Sequence, residues 1–243
     1  MEILKNFLKT DLAGGVVSSL IVILIMIILS IYIGIRAHFQ DPLKRPKGML
    51  LVAEVGVNFF DNMAAGLLGE RFRKFGAYLM AIGVYMFIAF IFGLTGLPSP
   101  ITYMAIPLSL GLSTFMLIHA TAIKYNKFRY FKRYIEPVPL FLPINLISMW
   151  APLLSLTLRI FGNALSGFVI MSILYSFLQG ASAALFASLE SVMGEWNQIF
   201  LAPLVTWIFH LYFDLWSGFI QTTVFLSLTS IYVGQEIPED LLG

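Results

Sequence analysis

The chain has 243 residues, 59% of them hydrophobic and only 12% charged, with a net charge of +2 and a mean hydropathy of +0.88. A soluble domain carries roughly twice that charged fraction. Composition therefore excludes an ordinary water-soluble globule, a disordered chain and a basic nucleic-acid-binding domain, and describes a polytopic membrane protein. The absence of cysteine excludes disulfides, thiolate metal sites and cysteine nucleophiles.

In chain order, the first apolar run covers residues 12–35. It is too long for a signal-peptide core and no small-residue cleavage site follows it, so it reads as a retained transmembrane helix. Residues 48–69 differ: Glu54, Asn58 and Asp61 share one helical face, with Leu51, Val52, Val55, Phe59, Met63 and Leu67 on much of the rest. That pattern predicts an amphipathic helix at the membrane surface or packed on other spans. Further apolar runs follow at residues 75–94, 101–123, 140–178 and 200–233. The runs are continuous and lack a period of two, which favours helices over a barrel. The expected fold is thus all-α, with about five transmembrane helices plus one amphipathic helix in a single membrane domain.

The basic residues orient these spans. Arg36, Lys44, Arg45, Lys47, Arg71, Arg73 and Lys74 lie between the first two, and Lys124, Lys127, Arg129, Lys132 and Arg133 between the third and fourth. Residues 179–198 contain no Lys or Arg but hold Glu190 and Glu195. The two basic loops are expected on the cytoplasmic side and the acidic loop outside. Five spans then put the N-terminus outside and the C-terminus inside; Lys5 and Lys9 pull the other way, offset by Glu2 and Asp11. The last two runs exceed the roughly 20 residues that an upright helix needs to cross the hydrocarbon core. They must tilt, bend or break, with Pro143, Pro152 and Pro203 as places to bend. Joined by an outside loop, they form a slanted hairpin.

Two groups of fixed charge remain deep in apolar sequence, Arg159 and Asp214. An Arg near the centre of a membrane helix costs about 2.5–3.5 kcal/mol on insertion scales, so it must face protein, water or a counter-charge. One reading is a structural Arg159–Asp214 pair that locks two helices together; the other is an ion pathway. The neighbours favour a pathway. Ser155 and Asn163 stand one turn either side of Arg159, with Ser166 beyond, and Gly162 with Ser166 forms a spacing that lets a second helix approach. On the last helix His210, Asp214, Gly218 and Gln221 are spaced to line one face. His119 is a weaker candidate, expected as a packing partner. No Walker loop, dinucleotide fingerprint or metal-ligand cluster is present, and three scattered histidines make no zinc site.

The run Pro152-Leu-Leu-Ser-Leu-Thr-Leu-Arg-Ile-Phe-Gly-Asn163 resembles the hallmark of subunit a of the F-type ATP synthase, in which Arg159 matches the essential arginine and Asn163 the asparagine after it. Gly218-Phe-Ile-Gln-Thr-Thr-Val-Phe225, followed by Leu228-Thr-Ser-Ile-Tyr232, is similar to the family's last helix, with Gln221 as its glutamine. Leu142-Pro-Ile-Asn-Leu-Ile147 matches the approach to the arginine helix, which brings in Asn145 and the following Ser148. The resemblance implies a non-catalytic stator subunit of the F0 sector that packs against a ring of c subunits. Its further partners would be the peripheral-stalk b subunits, the F1 sector through the complex, and membrane lipid, with no cofactor, metal or nucleic acid. It also implies two offset half-channels, with the arginine between them facing the ring's ion-carrying carboxylate. The setting would be the bacterial plasma membrane.

The chain departs from the family pattern in two places. Phe168 stands where many relatives carry Glu or His, and Ser148 and Met149 stand where many carry Glu. The last helix runs antiparallel to the arginine helix, so Asp214 is expected at the depth of Phe168, where it supplies the missing carboxylate with His210 one turn further out. Gln221 is expected to face Arg159 across the hairpin. Two other functional classes are an independent transporter that binds an anionic substrate at Arg159 and an assembly factor with a locked ion pair. The transporter class commonly shows inverted repeats, and none is visible in the sequence.

Overall fold

The computed structural model describes residues 2–41, 44–132, 140, 142–187 and 201–238. Glu190, Glu195 and Arg133, which help to orient the spans, lie outside the described residues, as do the side chains of Glu2, Lys5, Lys9, Asp11 and Arg129. The described residues are helical almost throughout and contain no strand.

Helix α1 (Glu2–His38) and helix α2 (Met49–Leu68) come first. A 3-10 turn (Glu70–Phe75) leads into α3 (Gly76–Ile91), and two further 3-10 turns (Phe92–Thr95 and Pro100–Thr102) lead into α4 (Ala105–Lys132). Helix α5 (Leu142–Leu185) is followed by a last rod of three consecutive pieces: α6 (Ala202–His210), a π-helical segment (Leu211–Trp216) and α7 (Ser217–Gly234). The protein is an all-α polytopic membrane protein.

Among the described residues, five helical stretches are long and apolar enough to cross a membrane: 14–38, 49–68, 70–95, 105–127 and 142–185. This set differs from the five apolar runs of the sequence in two ways. Helix α2 meets the measure, though with a mean hydropathy of 1.2 against 3.0 for α1. The last rod, which the π-helical segment interrupts, is not among them. Helix α2 begins after Gly48 (φ 61°) and ends at Gly69 (φ 91°), left-handed backbone that side-chain-bearing residues rarely adopt. Its second half joins the bundle through Phe60, Met63, Ala64 and Leu68, while residues 49–59 include no buried side chain. Arg73 ties the following turn back to it, donating to Asn62 Oδ1 at 2.7 Å and to Glu70 at 3.3 Å.

The core forms where α3, α5 and α7 meet. Leu79, Met86, Ala89 and Phe90 of α3 pack with Leu156 and Ile160 of α5 and with Phe225 and Leu226 of α7. Without water between helices in a membrane, close packing and interhelical hydrogen bonds hold such a bundle. Gly218 lets α7 lie against α3, where a Cβ would stand 2.7 Å from Phe90 Cβ. At Gly111 of α4 a Cβ would overlap the Thr157 hydroxyl of α5. Ser19 of α1 and Tyr85 of α3 share a hydrogen bond of 2.7 Å. His119 packs against the rings of Phe115 and Tyr130, in keeping with a packing role.

Helix α5 is unbroken over its 44 residues, about 66 Å at 1.5 Å per residue. That is roughly twice the thickness of a hydrocarbon core. It continues through Pro152, whose missing N–H leaves the Ser148 carbonyl without its usual helical donor. Gly218→Val should push α7 off Phe90, a small-to-large change that costs about 1–3 kcal/mol in a packed core. Thermal unfolding of the detergent-solubilised chain checks this, with Gly162→Val as a neutral control because nothing lies within 4 Å of that position.

Candidate functional site

The π-helical segment is the local feature that builds the site. Adding a residue to a turn rotates the rest of the helix, and π turns recur at functional positions. Asp214 lies inside it. The stripe expected from His210, Asp214, Gly218 and Gln221 is therefore re-aimed: Gly218 turns to Phe90 of α3, and Ser217 takes its place on the side facing α5. Gly167 of α5 sets the spacing opposite, where a Cβ would stand 3.3 Å from the Phe213 ring.

A cavity of about 690 Å³ opens between α5, the last rod and the two 3-10 turns after α3. Asp214 and Phe168 both line it. Asp214 Oδ2 stands 2.5 Å from His210 Nδ1, and His210 Nε2 stands 2.8 Å from the Tyr175 hydroxyl. Asn163 reaches the other end of the cavity. Its amide nitrogen donates to Ser217 Oγ at 3.0 Å and to Gln221 Oε1 at 3.3 Å, closing the gap between α5 and α7. Gln221 is only 5% exposed, whereas Asn163 is exposed, so the link is buried at its α7 end alone.

Arg159 lies one turn before Asn163 on α5 and is exposed. Its guanidinium donates to Ser155 Oγ at 3.5 Å. Among the described residues no ion pair joins it to Asp214, so the locked-pair reading has no contact behind it. The partner of Gln221 on α5 is Asn163 rather than Arg159, a displacement of about 6 Å along the helix. The face around Arg159 is open: Leu154, Leu158, Gly162, Leu165, Ser166 and Val169 are exposed, and no described helix of this chain uses the Gly162–Ser166 spacing.

Asn145 and Ser148 are not brought to this cavity. They stand three or more turns before Arg159 near the start of α5, where Ser148 donates to its own helix at the Ile144 carbonyl, 2.9 Å away. Sequence reasoning missed Tyr175 and Ser217. The signal for the first was a polar ladder of Ser172, Tyr175, Ser176 and Gln179 at helical spacing, all lining the cavity. Ser217 had no comparable signal, because a regular helix would have pointed it elsewhere.

Asn163→Ala and Gln221→Ala should be coupled in a double-mutant cycle by about 0.5–1.5 kcal/mol, the range for hydrogen bonds between membrane helices. Arg159→Ala and Gln221→Ala should be additive. Unfolding free energies of the four single and double variants in detergent test both statements.

The sequence profile of the family described as ATP synthase A chain matches residues 16–234. ATP synthase subunit a of Mycoplasmoides gallisepticum is 30% identical over 231 residues, covering 91% of this chain and 77% of that protein. The protein of the same name from Mycoplasma genitalium is 29% identical over 240 residues, covering 94% and 80%. A subunit a described as sodium ion specific, from Propionigenium modestum, is 29% identical over 192 residues, covering 72% and 58%. The matched span takes in the packed core, the cavity, Arg159, Asp214 and Gln221, and so the chain belongs to the ATP synthase A chain family.

Proposed function

We propose that this chain is the ion-conducting stator subunit of the F0 sector of a rotary ATP synthase. In this reading it carries protons or sodium ions through two half-channels to and from a ring of c subunits, and nucleotide chemistry occurs elsewhere in the complex. The observation that carries the reading is the layout around Arg159. A permanently charged guanidinium stands on an open apolar face of α5, and the cavity that holds Asp214 and His210 ends at Asn163, one turn away. An exposed Arg among leucines and a glycine suits a passing carboxylate supplied by another subunit. Arg stays protonated when desolvated, where Lys can lose its proton. Such a charge favours the ionised state of the ring carboxylate and opposes direct leakage between the half-channels.

The cavity serves as the half-channel open to the outside, with Asp214 as its main carboxylate and His210 as the next polar step. Phe168, across the cavity, leaves this role to the last rod. The peripheral-stalk b subunits and the F1 sector complete the assembly in a bacterial plasma membrane, with the N-terminus outside and the C-terminus in the cytoplasm. Helix α2 rests at the membrane surface, and the last rod crosses the membrane as the second arm of the hairpin. Asn145 and Ser148, near the other end of α5, belong to the cytoplasmic half-channel.

Arg159→Ala should abolish ATP-driven ion pumping in inverted vesicles while the complex still assembles, and Arg159→Lys should be a poor substitute. Near-normal pumping by assembled Arg159→Ala overturns the role. Asp214→Asn should slow ion-driven ATP synthesis by about 100-fold, the lower end of what a positioned proton-transfer group contributes. Phe168→Glu on that background should restore part of the rate. Synthesis at the wild-type rate by Asp214→Asn removes Asp214 from the path.

A further inference from the structure

The bundle does not hold the opening half of α2: residues 49–59 include no buried side chain, and Leu51, Val52, Val55 and Phe59 are exposed. Beside the start of that helix, a crevice of about 220 Å³ lies between the end of α1 and the first turn of α2. Tyr32 and Arg36 of α1 form one wall, and Lys47 leads the other wall into Met49 and Leu50 of α2. We propose that this crevice binds the phosphate headgroup of an anionic phospholipid, and that the lipid holds the opening half of α2 to the end of α1. The proposal does not depend on the ion path; it rests on the crossing of the membrane by α1.

Two cations on the walls of one crevice repel each other and call for an anion, and the chain supplies none. Arg36 lies over the Tyr32 ring, 5.5 Å from its centroid, and among the described residues neither Arg36 nor Lys47 makes an ion pair. Asp41, which falls between them in sequence, pairs with Lys44 at 3.6 Å. Among the described residues no Asp or Glu lines the crevice.

Position selects a lipid over a dissolved anion. The span of α1, with a mean hydropathy of 3.0, runs to His38, so Arg36 and Tyr32 stand where the hydrocarbon ends. Tyr concentrates at that level, and a basic side chain there extends its charge to the headgroups. The crevice is smaller than the roughly 300–1,000 Å³ of a pocket that encloses a small molecule, so it takes a headgroup and leaves the acyl chains outside. Apolar surface receives them on both sides, from exposed Ile31 and Ile35 of α1 and from Leu51 and Val55 of α2. The Arg36 guanidinium can bind two phosphate oxygens at once, with Lys47 as a point charge beside them. A zwitterionic headgroup would bring its own ammonium against these two cations, which favours a lipid of net negative charge.

The test titrates the purified full chain, in neutral detergent micelles, with phosphatidylglycerol or phosphatidylcholine of identical acyl chains, and counts bound lipid by native mass spectrometry. One phosphatidylglycerol should bind about tenfold or more tighter than phosphatidylcholine, and Arg36→Gln and Lys47→Gln should each weaken it by about tenfold, the lower end for a hydrogen bond to a charged group. Arg45→Gln removes the same charge from the same loop outside the crevice. It should cost no more than about fivefold, the general attraction of one cation to an anionic leaflet. Equal affinity for the two lipids overturns the proposal. So do losses in Arg36→Gln and Lys47→Gln no larger than the loss in Arg45→Gln, which reduce the effect to loop charge. Inorganic phosphate at the lipid's own concentration should leave the lipid bound; displacement by it makes the crevice a site for a dissolved anion and overturns the lipid as its occupant. Hydrogen exchange on the wild-type chain needs no substitution. The amides of residues 49–59 should exchange more slowly with phosphatidylglycerol than with phosphatidylcholine, and identical exchange in the two lipids overturns the hold on α2.

Discussion

Arg159 and Asp214 carry opposite charges on neighbouring helices, and the packing of those helices keeps them from pairing. In a medium of low dielectric their attraction would be strong at contact, and a closed pair would leave a neutral, inert core. Separation comes from the seam between α5 and the last rod. Gly167 sits on the Phe213 ring, and Asn163 binds Ser217 and Gln221, so Asp214 is held beyond Asn163, on the far side from Arg159. Each charge must then find its partner elsewhere. Asp214 finds His210 and a cavity, while Arg159 keeps only Ser155 among the described residues. An Arg left in that state on a membrane-spanning helix is tolerable when a second subunit brings the counter-charge.

The seam depends in turn on small residues. Gly218 allows the last rod to approach α3, and Gly93, in the 3-10 turn after α3, lies close to the Asp214 carboxylate. The π-helical segment then supplies the rotation that puts Gly218 on one side of the rod and Ser217 on the other. Without that extra residue per turn, the glycine needed for packing and the hydroxyl needed for the Asn163 network would compete for one direction.

Helix length fits the same arrangement. A helix as long as α5 links a start carrying Asn145 and Ser148 to an end carrying Ser176 and Gln179, with Arg159 between. Its apolar face around Arg159 is unoccupied by the described residues, although Gly162 and Ser166 shape it for close approach. The spacing that the sequence offered for a helix contact is real, but no described helix of this chain fills it.

Membrane class, helical architecture, the isolated charges and the length of the arginine helix were legible in the sequence. Each follows from hydropathy and period, properties that a linear chain carries on its face. The partner of Gln221 was not legible: a shift of one turn between helices leaves every apolar pattern intact. Nor was the π-helical segment, since its residues, Leu211 to Trp216, include no Gly or Pro to signal a break. The Tyr175–His210 contact depended on both, because the depth at which two rods meet and the twist of one of them are set by packing against α3. Only the tertiary structure decides those, for the physical reason that register and rotation are determined by which side chains interlock and not by where apolar residues fall along one helix.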